Sequence, residues 1–252
     1  MYNKICTALL FVAVLFAARP LTAQQILRGD NKTPKTYLES EVLDPDYGIK
    51  KYDRLNFIIG GDSVRNGPKG YALQNWFEDY YSNGKLLHRG YYVDGQLKVY
   101  RNYYDNGQLE RDFKVTDLKR AAMKIYYKDG KLKADIEYYG NNVLKEEDFY
   151  PGGQLKYQEE HTRNMENLIH MNSFAENGKP QSLFELTGIK KKVYYYYKKE
   201  YNENGNIKEE GPMKYSLDQI DYVKEGLWKF YDDNGTYKNS DNFVNGQGGN
   251  SN

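Results

Sequence analysis

Cysteine is almost missing from this sequence: Cys6 is the only one in 252 residues. It stands at the start of an apolar run over residues 5–18, so the rest of the chain has no thiol for a disulfide or a cysteine-based metal site. Aliphatic residues are also scarce. Only 39% of the chain is hydrophobic and the mean hydropathy is −0.89, too little for a deep globular core. Neither sign of charge is in excess, with 36 Lys and Arg against 35 Asp and Glu. Without a basic stripe there is no footprint for nucleic acid. The nearest approach to one, residues 190–192 with Lys198 and Lys199, reads as a solvated strand face.

Catalytic signatures are missing too. The three histidines, His88, His161 and His170, sit at no metal-ligand spacing. Glycines recur singly rather than in a phosphate-binding cluster, and no serine sits in a nucleophile elbow. Glu146, Glu147 and Asp148 read as a solvated turn. The expectation is a chain with no catalytic residues, no bound metal, no cofactor and no enzymatic activity.

What the sequence has in abundance is aromatic: 27 Tyr, 10 Phe and 2 Trp. Tyrosine suits a pleated, half-buried surface, where its ring packs and its hydroxyl reaches water. A thin, elongated sheet fits this composition. The first 23 residues read as a secretory signal: Lys4, then an apolar run too short to span a bilayer, then the small residues of 21–23 before Gln24. That predicts export to the periplasm, the cell surface or beyond. Removing Lys4 and Arg19 takes the net charge from +1 to 1 − 2 = −1.

A repeat runs through the remainder. Gly84, Gly107, Gly130, Gly153, Gly178, Gly205 and Gly235 follow one another at 23, 23, 23, 25, 27 and 30 residues. Five of them follow Asn and one follows Asp, the strongest short hairpin signals, because these residues tolerate positive φ. Four residues before each glycine stands an aromatic: Tyr80, Tyr103, Tyr126, Phe149, Phe174, Tyr201 and Tyr231. Two residues after it stand Leu86, Leu109, Leu132, Leu155, Pro180, Ile207 and Tyr237. A three-residue loop, type I with a left-handed glycine closing a bulge, sets these two positions directly opposite each other on one face. Their apolarity predicts that this face is the core. Pro151 suits the first loop position. A second turn is expected about 11 residues later, at Asp94-Gly95, Asn141-Asn142 and Asn245-Gly246.

The predicted fold is all-β: an elongated single-layer antiparallel meander of tandem β-hairpins. The predicted organisation is a signal over 1–23, a lead-in or cap over 24–70 with a strand over 55–59, the array over 71–246, and a fraying tail over 247–252. Residues 226–231, Gly-Leu-Trp-Lys-Phe-Tyr, running into Asn234-Gly235, resemble the MORN repeat in its variant form. That form occurs in bacterial proteins often labelled YwqK-family antitoxin components. Residues 80–86, 103–109 and 126–132 match the same half of the motif, although most copies lack the tryptophan and those after Gly153 carry insertions. The resemblance implies a curved antiparallel sheet that serves in binding or scaffolding, and an antitoxin-like label that assigns no residue here.

One position stands out within the repeat. Three residues before the glycine lie Tyr81, Tyr104, Tyr127 and Tyr150 in the first four copies, then Ala175, Asn202 and Asp232. Opposite the expected core, the tyrosines would form a ladder. They read first as cross-strand packing pairs that stiffen a thin sheet. The sharper reading makes them, with Trp76, a strip for a protein partner or for sugar rings. Membrane-surface association is a third reading, disfavoured by near-neutral charge and the lack of a basic amphipathic helix.

Overall fold

The computed structural model describes residues 36–44, 48–49, 65–140 and 142–249. The expected signal, the 55–59 strand and the last residues of the tail lie outside them. A short segment comes first: β1 (Thr36–Tyr37), helix α1 (Glu39–Val42), β2 (Leu43–Asp44) and β3 (Gly48–Ile49). The array follows as β4 (Asn75–Tyr81), β5 (Leu86–Val93), β6 (Gln96–Tyr103), β7 (Leu109–Val115), β8 (Arg120–Tyr126) and β9 (Leu132–Tyr139). It continues with β10 (Asn142–Phe149), β11 (Leu155–His161), β12 (Leu168–Phe174), β13 (Pro180–Lys190), β14 (Val193–Tyr201) and β15 (Ile207–Ser216). The last strands are β16 (Asp221–Lys224), β17 (Gly226–Tyr231), β18 (Tyr237–Val244) and β19 (Gln247–Gly249).

Strands β4 to β19 pair antiparallel with their neighbours in chain order; β16 and β17 share β15. The long meander of hairpins predicted from the turn spacing is therefore present. β1 adds to the free edge of β4 in parallel, placing Thr36 beside Tyr80 and Tyr37 beside Tyr81. That edge is thus partly blocked against pairing with another chain.

Each predicted turn has the expected form. At the first, the amide of Gly84 donates to the Tyr81 carbonyl, and the Tyr81 amide to the Lys85 carbonyl. Gly84 has φ +83°. The same pair of bonds recurs at Gly107, Gly130, Gly153, Gly178, Gly205 and Gly235. The aromatic and its partner lie opposite each other, from Tyr80 with Leu86 to Tyr231 with Tyr237. One residue further on, every hairpin carries a second irregularity. Asp79 faces His88 while Tyr80 faces Leu86, so Leu87 is an extra residue in β5. Glu110, Lys133, Lys156, Gln181, Lys208 and Lys238 occupy the same place in later copies. A phased bulge of this kind strengthens strand twist at each repeat. The second of these secondary turns, expected at Asn141-Asn142, begins at Gly140, with β10 already started at Asn142.

The core face is the opposite of the one expected. Asp79, Tyr81, Tyr100, Asn102, Tyr104, Phe113, Met123 and Ile136 are buried on one side of the sheet. The aromatic-leucine pairs at the turns are only half-buried, and all but the exposed Tyr237 behave as outer-face cross-strand pairs. Apolarity at those two positions reports a pair that shields the outer face, a stabilising unit in its own right, and not a core. This outer face is otherwise tied by ion pairs set directly across strands, such as Arg101 with Asp112 and Lys124 with Asp135.

The inner face changes along the array. Over β4–β9 it is the buried face, and over β4–β7 the chain's own N-terminal segments lie on it. Val42 and Ile49 pack on Tyr81 and Leu87, and Leu73 joins Tyr92, Leu97, Tyr100 and Phe113. Between residues 139 and 167 no described residue is buried. A second cluster then forms from Leu168, Phe184, Tyr196, Met213 and Trp228. Trp228 lies against Gly211, where a Cβ would sit 2.5 Å from the indole; only glycine admits the ring that close.

Candidate functional site

The tyrosine ladder is on the covered side. Tyr81 is 2% and Tyr104 7% exposed, while Tyr127 and Tyr150 are half-buried. Each hydroxyl donates to a main-chain carbonyl of the next repeat: Tyr81 to Tyr103 (2.8 Å), Tyr104 to Tyr126 (2.8 Å), Tyr127 to Phe149 (2.6 Å) and Tyr150 to Phe174 (2.9 Å). Burial pushes the Tyr81 phenol up and that of Tyr104 up to about 12, so these hydroxyls stay protonated donors. The ladder is a row of inter-repeat staples, and its first two rings present no open surface. Lys85, Lys131 and Lys179 lace the same rim, donating to carbonyls of the next turn. Where the tyrosine is lost, Asn202 donates to the Asp233 carbonyl instead.

Trp76 stands apart on the outer face, 49% exposed. Its ring centroid is 5.4 Å from that of Tyr91, and the Arg89 guanidinium lies 4.8 Å over it. The structure therefore does not bring Trp76 and the four tyrosines together.

Beneath the N-terminal segments lies a buried polar group that the sequence reading did not single out. Arg65 meets Asp79 at 2.7 Å, both almost fully buried, with the guanidinium 4.6 Å over the Phe77 ring. His88 Nδ1 is 2.8 Å from Asn102 Oδ1. Burial lowers His88 to about 4, partly opposed by the Asn102 bond and by Asp79, so the ring is neutral near neutral pH. Glu110 Oε1 accepts from the Ile49 amide at 3.2 Å and from Arg111 at 3.2 Å. Alternation in β4–β6 marks these positions as inward, but nothing in the local pattern announces that the chain would supply Arg65 from outside the array.

The open stretch of the inner face begins at β10. Glu146 and Asp148 belong to a strand and not to the solvated turn expected for residues 146–148. Glu146 faces Glu159 and Asp148 faces Tyr157 across β10–β11. The Tyr157 hydroxyl donates to Glu159, and His161 Nε2 lies 2.6 Å from the same carboxylate. Burial, with Asp148 and Glu159 nearby, pushes Glu146 up to about 7. Burial also raises Asp148, against the pull of Lys156 and Lys133. Next to this group the C-terminal cluster exposes its rim: Met171 is 40%, Ile189 61% and Tyr215 38% exposed. Phe184, Tyr196 and Tyr222 stack and edge-pack at 4.8–4.9 Å just beneath. His170 lies on β12 facing Glu160. Among the described residues no group of His, Cys, Asp or Glu could hold a metal ion.

Comparison with known proteins matches residues 77–94, 121–141, 197–215 and 224–245 to the MORN repeat variant. These segments are the hairpins around Gly84, Gly130, Gly205 and Gly235; the other three copies share their turn geometry. The match indicates no enzymatic family. No curated protein matches the chain. Among solved structures, TarM is 15% identical over 60% of this chain and 21% of that one, with a TM-score of 0.22. A variant of S. aureus TarM in complex with Fondaparinux, alpha-GlcNAc-glycerol and UDP matches at the same identity and TM-score, over 60% of this chain and 22% of that one. TcdB2-TccC3-TEV is 9% identical over 71% of this chain and 12% of that one, with a TM-score of 0.21. The chain spans about a fifth of the TarM chains and about an eighth of the third, and nothing about its function follows from them.

Proposed function

We propose that this MORN-variant repeat protein is an exported, non-catalytic scaffold that binds a protein partner on the uncovered half of its inner sheet face. MORN repeats generally bind proteins or membranes, and that broad role is the starting point. The observation that carries the reading is the change along one face. Over β4–β9 the inner face is buried, in part beneath the chain's own N-terminal segments, whereas over β10–β16 the equivalent surface exposes Met171, Ile189 and Tyr215 beside a carboxylate group. An apolar rim next to polar groups is the usual composition of a protein-binding surface. Export rests on the sequence of residues 1–23.

The test is capture from the envelope fraction of the source cells with the chain from residue 24 as bait. A stoichiometric protein should be retained by the wild type and lost by the combined variant Met171→Glu, Ile189→Ser, Tyr215→Ser. An outer-face variant, Trp76→Ala, should retain it. Retention by the inner-face variant and loss by Trp76→Ala would move the site to the outer face and refute the proposal.

A further inference from the structure

On the inner face a carboxylate is met by a cation held over aromatic rings in two places. At the N-terminal end Arg65 sits 2.7 Å from Asp79 and over Phe77. At the C-terminal end Lys224 sits 2.8 Å from Glu209 and 4.0 Å from the Trp228 ring centroid. Between them lie Glu146, Asp148 and Glu159, with Tyr157 and His161. Asp148 holds the same place in its repeat as Asp79, five residues before the turn glycine. Among the described residues no lysine or arginine lies within ion-pair distance of Glu146 or Asp148. Lys133 on β9 and Lys156 on β11 act on Asp148 only from farther away, and His161 is engaged by Glu159. Lys133 and Lys156 fill the inward bulge position, over the Tyr127 and Tyr150 rings, while the paired positions beside Glu146 and Asp148 carry no cation: Ala134 and Ile136 on β9, Met171 and Ser173 on β12.

We propose that this gap receives an arginine or lysine from a basic, extended segment of the protein partner, laid on β10–β11 as the chain's own Arg65 segment is laid on β4–β5. The inference rests on the open face being the protein-binding surface and specifies the partner's chemistry. Two carboxylates on one face suit a guanidinium or ammonium group, while Ile136 and Met171 can take the methylene stem. Burial, with the Asp148 and Glu159 carboxylates nearby, holds Glu146 up at about 7. A phosphate-bearing ligand would be repelled here.

The probe is a random peptide display library panned on the chain at mildly alkaline pH. Enriched peptides should carry Arg or Lys. The double variant Glu146→Gln, Asp148→Asn should bind them about tenfold or more weakly, the loss expected when a charged pair at an interface loses one side. Binding should also weaken as pH falls through about 7, where Glu146 takes up a proton. Enriched peptides without basic residues, or undiminished binding to the double variant, would overturn the inference. If such peptides are still lost on Met171→Glu, Ile189→Ser, Tyr215→Ser, the open face binds but without a cation, and the functional proposal stands. Peptides indifferent to both sets of changes would sink the two together. Unchanged circular dichroism of each variant guards against loss of fold.

Discussion

Strands β4–β9 and β10–β18 are built from one repeat, with the same turn and the same bulge beyond it, yet their inner faces end differently. Met123 and Met171 both stand seven residues before a turn glycine. The first is 6% and the second 40% exposed. Asp79 and Asp148 share a position as well; one is sealed beside Arg65 and the other lies in an acidic group without such a partner. The repeat determines the sheet, and what the rest of the chain lays on that sheet decides whether a position is core or surface. In a repeat protein each unit buries itself only against neighbours, so such a cover changes local stability without changing the repeat.

The sharpest way to break the comparison is to remove the cover's anchor. Arg65→Ala leaves Asp79 buried without its cation and should cost about 3–5 kcal/mol, read as a lower denaturant midpoint. Glu146→Gln in the open half should instead be neutral or stabilising at alkaline pH, because it removes an uncompensated charge.

The pH responses should have opposite signs. Folded His88 takes a proton only near 4, the unfolded residue near 6.5. In that window the unfolded state binds more protons, so the covered half loses stability as pH falls, by at most about 3 kcal/mol. Folded Glu146 keeps its proton to about 7, the unfolded residue only to 4.5, so the open half loses stability as pH rises through that window. Hydrogen exchange followed by segment at several pH values should show the two slopes, and His88→Gln should flatten the first.

Gly107→Val, at φ +89°, should cost about 1–3 kcal/mol and lower the melting temperature. Gly178→Val, at φ +79° in the open half, should cost the same, since this strain belongs to the turn and not to the cover. Smallest is Tyr104→Phe, which removes one staple and should cost about 1 kcal/mol in thermal unfolding.

Much of the fold was legible because the turns are chemical. Asn-Gly and Asp-Gly at a fixed period, with an aromatic and a leucine at fixed offsets, determine loop length and cross-strand partners, and the match to the MORN repeat variant agrees. The choice of face was not legible. Tyr80 with Leu86 looks like core, but the bulge at Leu87 and the docking of Val42, Ile49 and Arg65 depend on contacts distant in sequence. The same reason hid the acidic group: Glu146, Asp148 and Glu159 converge only once β10 and β11 are in register. The tyrosine ladder was legible as a pattern, whereas the burial of Tyr81 and Tyr104 and the hydroxyl bonds to the next repeat were not.

The central claim, one face covered in its first half and open in its second, can be tested on the unaltered protein by mild peroxide treatment with peptide mass spectrometry. Exposed methionines become sulfoxides before buried ones. Met171 should oxidise well ahead of its repeat equivalent Met123, whose side chain is sealed by Phe113 and Ile136. Equal rates at the two positions would contradict the account.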